Sequence, residues 1–272
     1  MSLPSQASRP VANAPTDKLP LTVAIITRNA GAQLGPCLES VAFAREILVV
    51  DSGSTDDTIE VAKRHGARVE MREWLGFGRQ KQLAVGLAAN DWVLCLDADE
   101  RVSEELANAI AKAMASQGYK AYRMARRNRF LGRWLSHGEG YPDLSLRFFH
   151  RAHASWSNDE VHEAVLTTVE VGRLSGDLLH ESADDIATYL AKQNRYTTLH
   201  AEALYGQGVR AGYWRLVASP LARFVKFYFL RLGFLDGGPG FAHIVIGCNS
   251  AFHKYLKLIE LQTNAAREGA AR

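Results

Sequence analysis

The chain has 272 residues, 47% of them apolar, and a formal charge of +3. That length and apolar content suit one large domain, or a domain with an appendage, around a substantial core. So small a net charge speaks against nucleic acid as a partner, and three widely spaced cysteines, Cys37, Cys95 and Cys248, form neither a disulfide framework nor a zinc pattern, which fits a reducing compartment.

Residues 1–20, with their Pro, Ala and Ser, lack the apolar core of a secretory signal and read as a disordered leader. "LTVAIIT" (Leu21 to Thr27) is a continuous strand-like run, followed by a polar turn and "LGPCLESVAFA" with helical spacing. "EILVVDS" predicts a second buried strand, and "STDDTIEVAKRHG" a helix capped by Ser54 or Thr55 and closed at Gly66. "ARVEMRE" is a third strand, "GRQKQLAVGLAAND" a third helix and "WVLCLDAD" a fourth strand. "SEELANAIAKAMASQG" follows as a helix with Ser103 near its start. Strands alternating with helices predict a doubly wound, parallel α/β sheet. Ligands of such sheets sit beyond the carboxyl ends of the strands, where Thr27, Asp51 and Asp97 all fall.

After Lys120 the rhythm changes. "AYRMARRNRFLG" and "LSLRFFHR" read as strands around an irregular "RWLSHGEGYPD" loop. "DIATYLAKQNRYTTLHAEALY" predicts an amphipathic helix with Ile186, Tyr189, Leu190, Thr197 and Leu204 on one face. "PLARFVKFYFLRLGFL" places Pro220 at a helix start, with Arg223, Lys226 and Arg231 over about half the helical circumference. Two readings stand for it: a helix lying in a membrane interface, or one packed on its own domain or in an oligomer. No apolar run reaches spanning length without charges. The stretch from Lys112 to Arg151 is rich in Lys and Arg, which suits phosphates, an anionic membrane or simply a solvated basic face.

The pair Asp97 and Asp99 carries the chemistry. Side chains two apart on an extended chain face the same side, where like charges repel unless a cation sits between them. A divalent cation with oxygen ligands answers that need; the bland alternative is a capping cluster ahead of the Ser103 helix. No G-x-G-x-x-G follows the first strand and no phosphate-binding G-x-x-x-x-G-K-[ST] occurs. A nucleotide must then be held by strand-tip side chains and a metal.

"VAIITRN", "ILVVDSGSTDDT" and "WVLCLDADE", in that order and spacing, resemble the family 2 inverting glycosyltransferases of the GT-A fold. "GEGYPDLSLRFF", "VHEAV", "GDLLH" and "GFLDGGPG" further resemble the subgroup that glycosylates the lipopolysaccharide inner core, including its β-1,4-glucosyltransferases. The likeness runs from about Leu21 to Leu261. It implies a GT-A, Rossmann-like, mostly parallel sheet flanked by helices, with a C-terminal helical extension. The catalytic domain would span 21–182, with a nucleotide half at 21–100, an acceptor half at 101–182 and a helical region at 183–265.

The resemblance also implies roles. Asp51 would accept from the uracil imide of a UDP-sugar, UDP-glucose above all, with Thr27 and Asn29 lining the base and ribose pocket. Asp97 would contact ribose or metal, and Asp99 would coordinate Mg²⁺ or Mn²⁺ on the diphosphate, with His180 as a further ligand. Lys81 would add positive charge there, and Arg147 would reach the donor diphosphate or an acceptor phosphate. An inverting transfer needs one base; Glu163 in "VHE" fits the family pattern, with Asp143, Asp159 and Glu160 as the other candidates. His162 would orient Glu163 or the acceptor, and the Arg123 to Arg133 region would meet the acceptor's phosphates. The acceptor would be a lipopolysaccharide core or other lipid-linked glycan, reached by a cytoplasmic enzyme peripheral to the inner face of the membrane. Two departures, Ala30 where the family has an acid and Gln82 where Asn is expected, lie near the donor pocket and leave the donor sugar open. A nucleotidyltransferase and a non-catalytic nucleotide-sugar-binding protein remain as alternatives; the former lacks its usual Gly- and Arg-rich first loop.

Overall fold

In the computed structural model the described residues are 18–116, 118–158, 163–181 and 185–270. The chain begins with β1 (Leu19–Thr27), α1 (Gly31–Ser40), β2 (Ala44–Asp51), α2 (Thr58–Arg64), β3 (Arg68–Met71), α3 (Phe77–Leu87) and β4 (Trp92–Asp97). These strands lie side by side in the order β3-β2-β1-β4, all parallel. The chain builds outward from β1 to β3, and α3 then carries it back to the other edge of β1. Parallel neighbours require crossovers of this length. The reversal opens a crevice at the carboxyl ends of β1 and β4, beside Thr27 and Asp97.

Alternation along the strands fills two apolar layers. Leu21, Val23 and Ile25 pack with Leu34 and Leu38 of α1 and Val61 of α2. Ala24 and Ile26 face the opposite way, onto Ala84 and Val85 of α3. Because both faces are covered, β1 reads as one unbroken apolar run. Leu21, Ile25 and Leu94 are wholly buried, each worth roughly 1.5–3 kcal/mol of burial.

The chain continues through β5 (Glu100–Val102), α4 (Glu104–Ala115), β6 (Ala121–Phe130), β7 (Arg133–Trp134), β8 (Asp143–His150), β9 (Ala154–Trp156), β10 (Val165–Thr167) and β11 (Val171–His180). The same sheet extends as β4-β8-β6-β11-β5, with β8 antiparallel to β4 and β6, and β5 antiparallel to β11. Strands from before and after residue 100 therefore share one sheet. Three helices close the chain, α5 (Ile186–Gly206), α6 (Arg215–Phe224) and α7 (Gly237–Ala270), with a π-helical turn at Val225–Leu230 and a 3-10 turn at Gly233–Asp236 between the last two. The α/β architecture and the helical extension are as the sequence indicates, with antiparallel pairing taking a larger share of the second half.

Some local expectations are corrected. Ser103 does cap α4, accepting from the Leu106 N–H, but neither Ser54 nor Thr55 caps α2. The Ser54 hydroxyl goes to Asp51, Thr55 N–H goes to Asn29, and Asp56 instead receives the Thr58 N–H. On α5 the inward side runs through Tyr189, Gln193, Thr197 and Ala201, while Ile186 and Leu190 are exposed. The facing helix sets that choice, because Ser250 of α7 meets Gln193 and Lys257 meets Thr197. Pro220 lies inside α6 rather than at its start; lacking an N–H, it leaves the Leu216 carbonyl without that helical bond. Among the described residues no helix is long and apolar enough to cross a membrane.

Candidate active site

The carboxyl ends of β1 and β2 meet in register, Thr27 opposite Asp51. Asp51 is fully buried. One of its oxygens accepts from the Gly53 and Ser54 N–H groups at 3.0 and 2.8 Å, and the other from the Thr27 and Ser54 hydroxyls at 2.9 and 2.5 Å. A carboxylate offers about four lone-pair sites, and these four donors occupy them. Asp51 thereby shapes the turn, in which Gly53 takes φ +83°, a region that strains any side chain. Asn29 completes the lock: its Oδ1 accepts from Thr55 N–H and its own N–H donates to Ser54 Oγ, both at 2.8 Å.

β4 stops at Asp97, and Ala98 and Asp99 form a turn before β5. The two aspartates consequently do not share one strand face, and each has its own partners. Lys81 Nζ lies 3.0 Å from one Asp97 oxygen, and Arg147 Nη2 lies 3.0 Å from the other. Burial opposes ionisation of Asp97, but Arg147 and then Lys81 outweigh it and hold the carboxyl well below the usual range. Arg147 reaches this point because β8 runs antiparallel beside β4. Its guanidinium also stacks over Trp156, as does Lys81, at 5.4 and 4.8 Å from the ring centroid.

Glu100, passed over in the sequence, belongs to this cluster. It is fully buried, and one oxygen accepts from Asp97 N–H at 3.0 Å. The other has no hydrogen-bond partner and lies 3.6 Å from Arg147 and 3.7 Å from Arg126. Burial raises its carboxyl above the ordinary range, with Asp97 adding to the rise. Its only sequence signal is that it continues the acidic run of "DADE" into the first residue of β5.

Asp99 pairs with His180, Oδ2 to Nε2 at 3.3 Å. The pairing of β11 with β5, His180 opposite Glu100, brings the imidazole there. Its Nδ1 is 2.8 Å from the Asn128 carboxamide oxygen, which can only accept. With Nδ1 engaged by Asn128, Nε2 is the ring nitrogen turned toward the Asp99 carboxylate, and a contact of this kind at the other ring nitrogen also orients metal-ligating histidines. A carboxylate and an imidazole side by side fit a divalent cation that takes its other ligands from phosphates and water. Among the described residues no group of three or more potential ligands converges, and Asp97 is committed to its two cations.

Lys81 joins this rim to Glu163. Buried to 3% exposure, its ammonium also lies 3.2 Å from Glu163 Oε1. Two cavities lie beside this rim. One, of about 540 Å³, is bounded by Thr27, Trp74, Phe77, Asp97, Asp99 and His180; the other, of about 650 Å³, has Phe77 and Glu163 at one end and α5 and α7 along its walls. Phe77 is common to both, at the start of α3 and edge-on to Trp74 at 4.8 Å. Asp143 is paired instead with Arg126 at 2.9 Å. Asp159, Glu160 and His162 lie outside the described residues.

The basic stretch is less available than its composition indicates. Arg126, Arg127 and Arg129 pair with Asp143, Asp177 and Glu181, so their charge is largely compensated in place. Gln82, the departure noted on the third helix, accepts the Trp156 N–H at 2.8 Å and so helps place the ring beneath Lys81.

Residues 22–165 match the family model described as glycosyl transferase family 2. The chain is 33% identical to an uncharacterised glycosyltransferase of Rickettsia typhi over 251 residues, 88% of this chain and 85% of the relative. It is 30% identical over 258 residues, 92% of this chain and 96% of the relative, to the lipopolysaccharide core biosynthesis glycosyltransferase LpsC of Rhizobium meliloti. Among solved structures it is similar to Staphylococcus aureus TarS 1–349 in complex with UDP-GlcNAc, at 13% identity and a TM-score of 0.48 over 84% of this chain and 79% of that one. Transfer of a nucleotidyl group is set aside by the family match. From the strand-tip motifs through the full-length likeness to its relatives, this chain belongs to glycosyl transferase family 2 and is a glycosyltransferase.

Proposed function

We propose that the protein transfers glucose from UDP-glucose to a lipopolysaccharide core sugar with inversion at the anomeric carbon. One observation carries this reading: a single buried ammonium, Lys81, touches both Asp97 at the donor cleft and Glu163 at the mouth of the second cavity. Glu163 takes the proton of the acceptor hydroxyl while that oxygen bonds to the anomeric carbon. The bond from that carbon to the diphosphate breaks with its electron pair, and UDP leaves from the opposite face. The Lys81 contact fixes the Glu163 carboxylate at the lining of the second cavity. Trp74 and Phe77 line the wall where the sugar would bridge the cavities, and Thr27 with the Asn29–Thr55 lock borders the nucleoside. Mg²⁺ or Mn²⁺ held by Asp99 and His180 would act there as a Lewis acid on the departing diphosphate.

The likeness to LpsC supports the acceptor class. A peripheral seat at the inner face of the membrane is supported by α6, where Val217 and Leu221 with the N-cap residue Trp214 form an exposed apolar stripe. The cations expected above that stripe are partly engaged elsewhere: Arg223 forks onto Glu139 and Arg231 donates to the Tyr141 carbonyl. Lys226 is exposed. The test is transfer by purified protein from UDP-glucose, UDP-galactose and UDP-GlcNAc to core oligosaccharide, with the product's anomeric configuration read by NMR. A β-linked glucose product is expected; no turnover with any UDP-sugar would remove the reading.

A further inference from the structure

The second cavity is lined by α5 and α7 beyond Glu163, and its charge is one-sided. Two helical contacts fix the walls near each other: Lys257 Nζ donates to the Asn194 carbonyl at 2.8 Å, and Ser250 Oγ to Gln193 Oε1 at 3.3 Å. Arg195 follows these α5 residues directly, and Lys254 lies one turn before Lys257 on α7, so both flank the same junction. Both line the cavity. Other cations of this face are already used. Lys257 is spent on the Asn194 and Thr197 oxygens, and Arg223 on Glu139. Arg195 and Lys254 have no carboxylate within ion-pairing distance among the described residues; the Lys254 ammonium lies over the Tyr255 ring, 4.7 Å from its centroid. Glu163, which also lines this cavity, is paired with Lys81.

Two cations held on neighbouring helices and facing one concave space, neither ion-paired among the described residues, form a site for an anion. Cavity size gives the scale: about 650 Å³ is room for a sugar ring and its substituent rather than for an ion alone. We propose that this cavity is the acceptor subsite and that Arg195 and Lys254 grip an anionic substituent, a phosphate or a carboxylate, on the acceptor sugar or its neighbour. The pair lies apart from the basic β6 stretch, whose arginines are already compensated. It rests on the transferase reading above and extends it, because the anion would place the attacking hydroxyl beside Glu163.

The experiment compares wild type with the Arg195→Ala/Lys254→Ala double variant on intact, dephosphorylated and carboxyl-reduced core oligosaccharide. With intact acceptor the variant's KM for acceptor should rise by about tenfold or more, the scale of lost charge-assisted bonds, with kcat and donor KM little changed. Whichever acceptor treatment reproduces that rise in wild type, and adds nothing in the variant, identifies the anion. An unchanged acceptor KM in the variant overturns the proposal, as does a rise that is the same on acceptors stripped of both groups. If wild type transfers to none of these acceptors, the substrate assignment fails separately. Thermal protection by inorganic phosphate, with UDP saturating the donor cleft, then tests the subsite alone. Protection lost in the double variant supports it, and no protection of wild type overturns it.

Discussion

The sheet rim and the helical layer handle charge in opposite ways. At the rim, Lys81, Asp97, Glu100 and Arg147 are buried or half-buried and offset one another's charge before any ligand arrives. In the helical layer, Arg195 and Lys254 face a cavity, and the apolar stripe of α6 faces solvent. A rim built this way is preorganised, which is what stabilising charge in a transition state requires. The helical layer instead keeps its attraction for something the chain does not itself provide. Substitutions at the rim should therefore damage chemistry or folding, and those in the layer affinity and location.

Glu163→Gln gives the largest expected effect. Transfer should fall by roughly 10²–10⁴-fold, the scale of general-base catalysis, while UDP-sugar affinity measured by calorimetry stays within about twofold. Unchanged transfer would move the base to Asp143 or to Asp159 or Glu160. Next is Arg147→Met, which strips Glu100 of its nearest cation. Breaking a buried pair costs about 3–5 kcal/mol, read as a lower urea midpoint, and adding Glu100→Gln should recover part of it. A midpoint equal to wild type would show that the rim does not depend on its internal pairing. The smallest effect on folding is Leu221→Glu, within about 0.5 kcal/mol because the side chain is 59% exposed. The same substitution should nonetheless reduce sedimentation with anionic lipid vesicles; undiminished binding would detach the α6 stripe from the membrane.

Much of the rim was legible in the sequence. Buried apolar runs ending in Thr27, Asp51 and Asp97 fix those residues at strand tips, and alternation of helix and strand places the tips on one edge. What sequence does not disclose is which side chains share those tips. Arg147 and His180 arrive only because β8 and β11 enter the sheet antiparallel and parallel, respectively, to their neighbours β4 and β6. Lys81 reaches Glu163 across 82 positions of chain. Asp51 illustrates the same limit: "DSGSTD" carries both turn chemistry and a nucleotide-binding pattern, and only the structure gives the four donors that surround the carboxylate. On α5, the 3.6-residue period predicts an inward face but not which polar groups α7 offers to it, so Ile186 and Leu190 fall outside.

The account turns on Asp99 and His180 as the place where a cation meets the donor's diphosphate. Calorimetric titration of UDP into wild type and into Asp99→Ala, each with Mn²⁺ and with chelator, tests this most directly. Wild type should bind UDP at least about tenfold more tightly with Mn²⁺, and the variant should bind it equally under both conditions while melting at the wild-type temperature. A variant that keeps the full Mn²⁺ dependence would contradict the account.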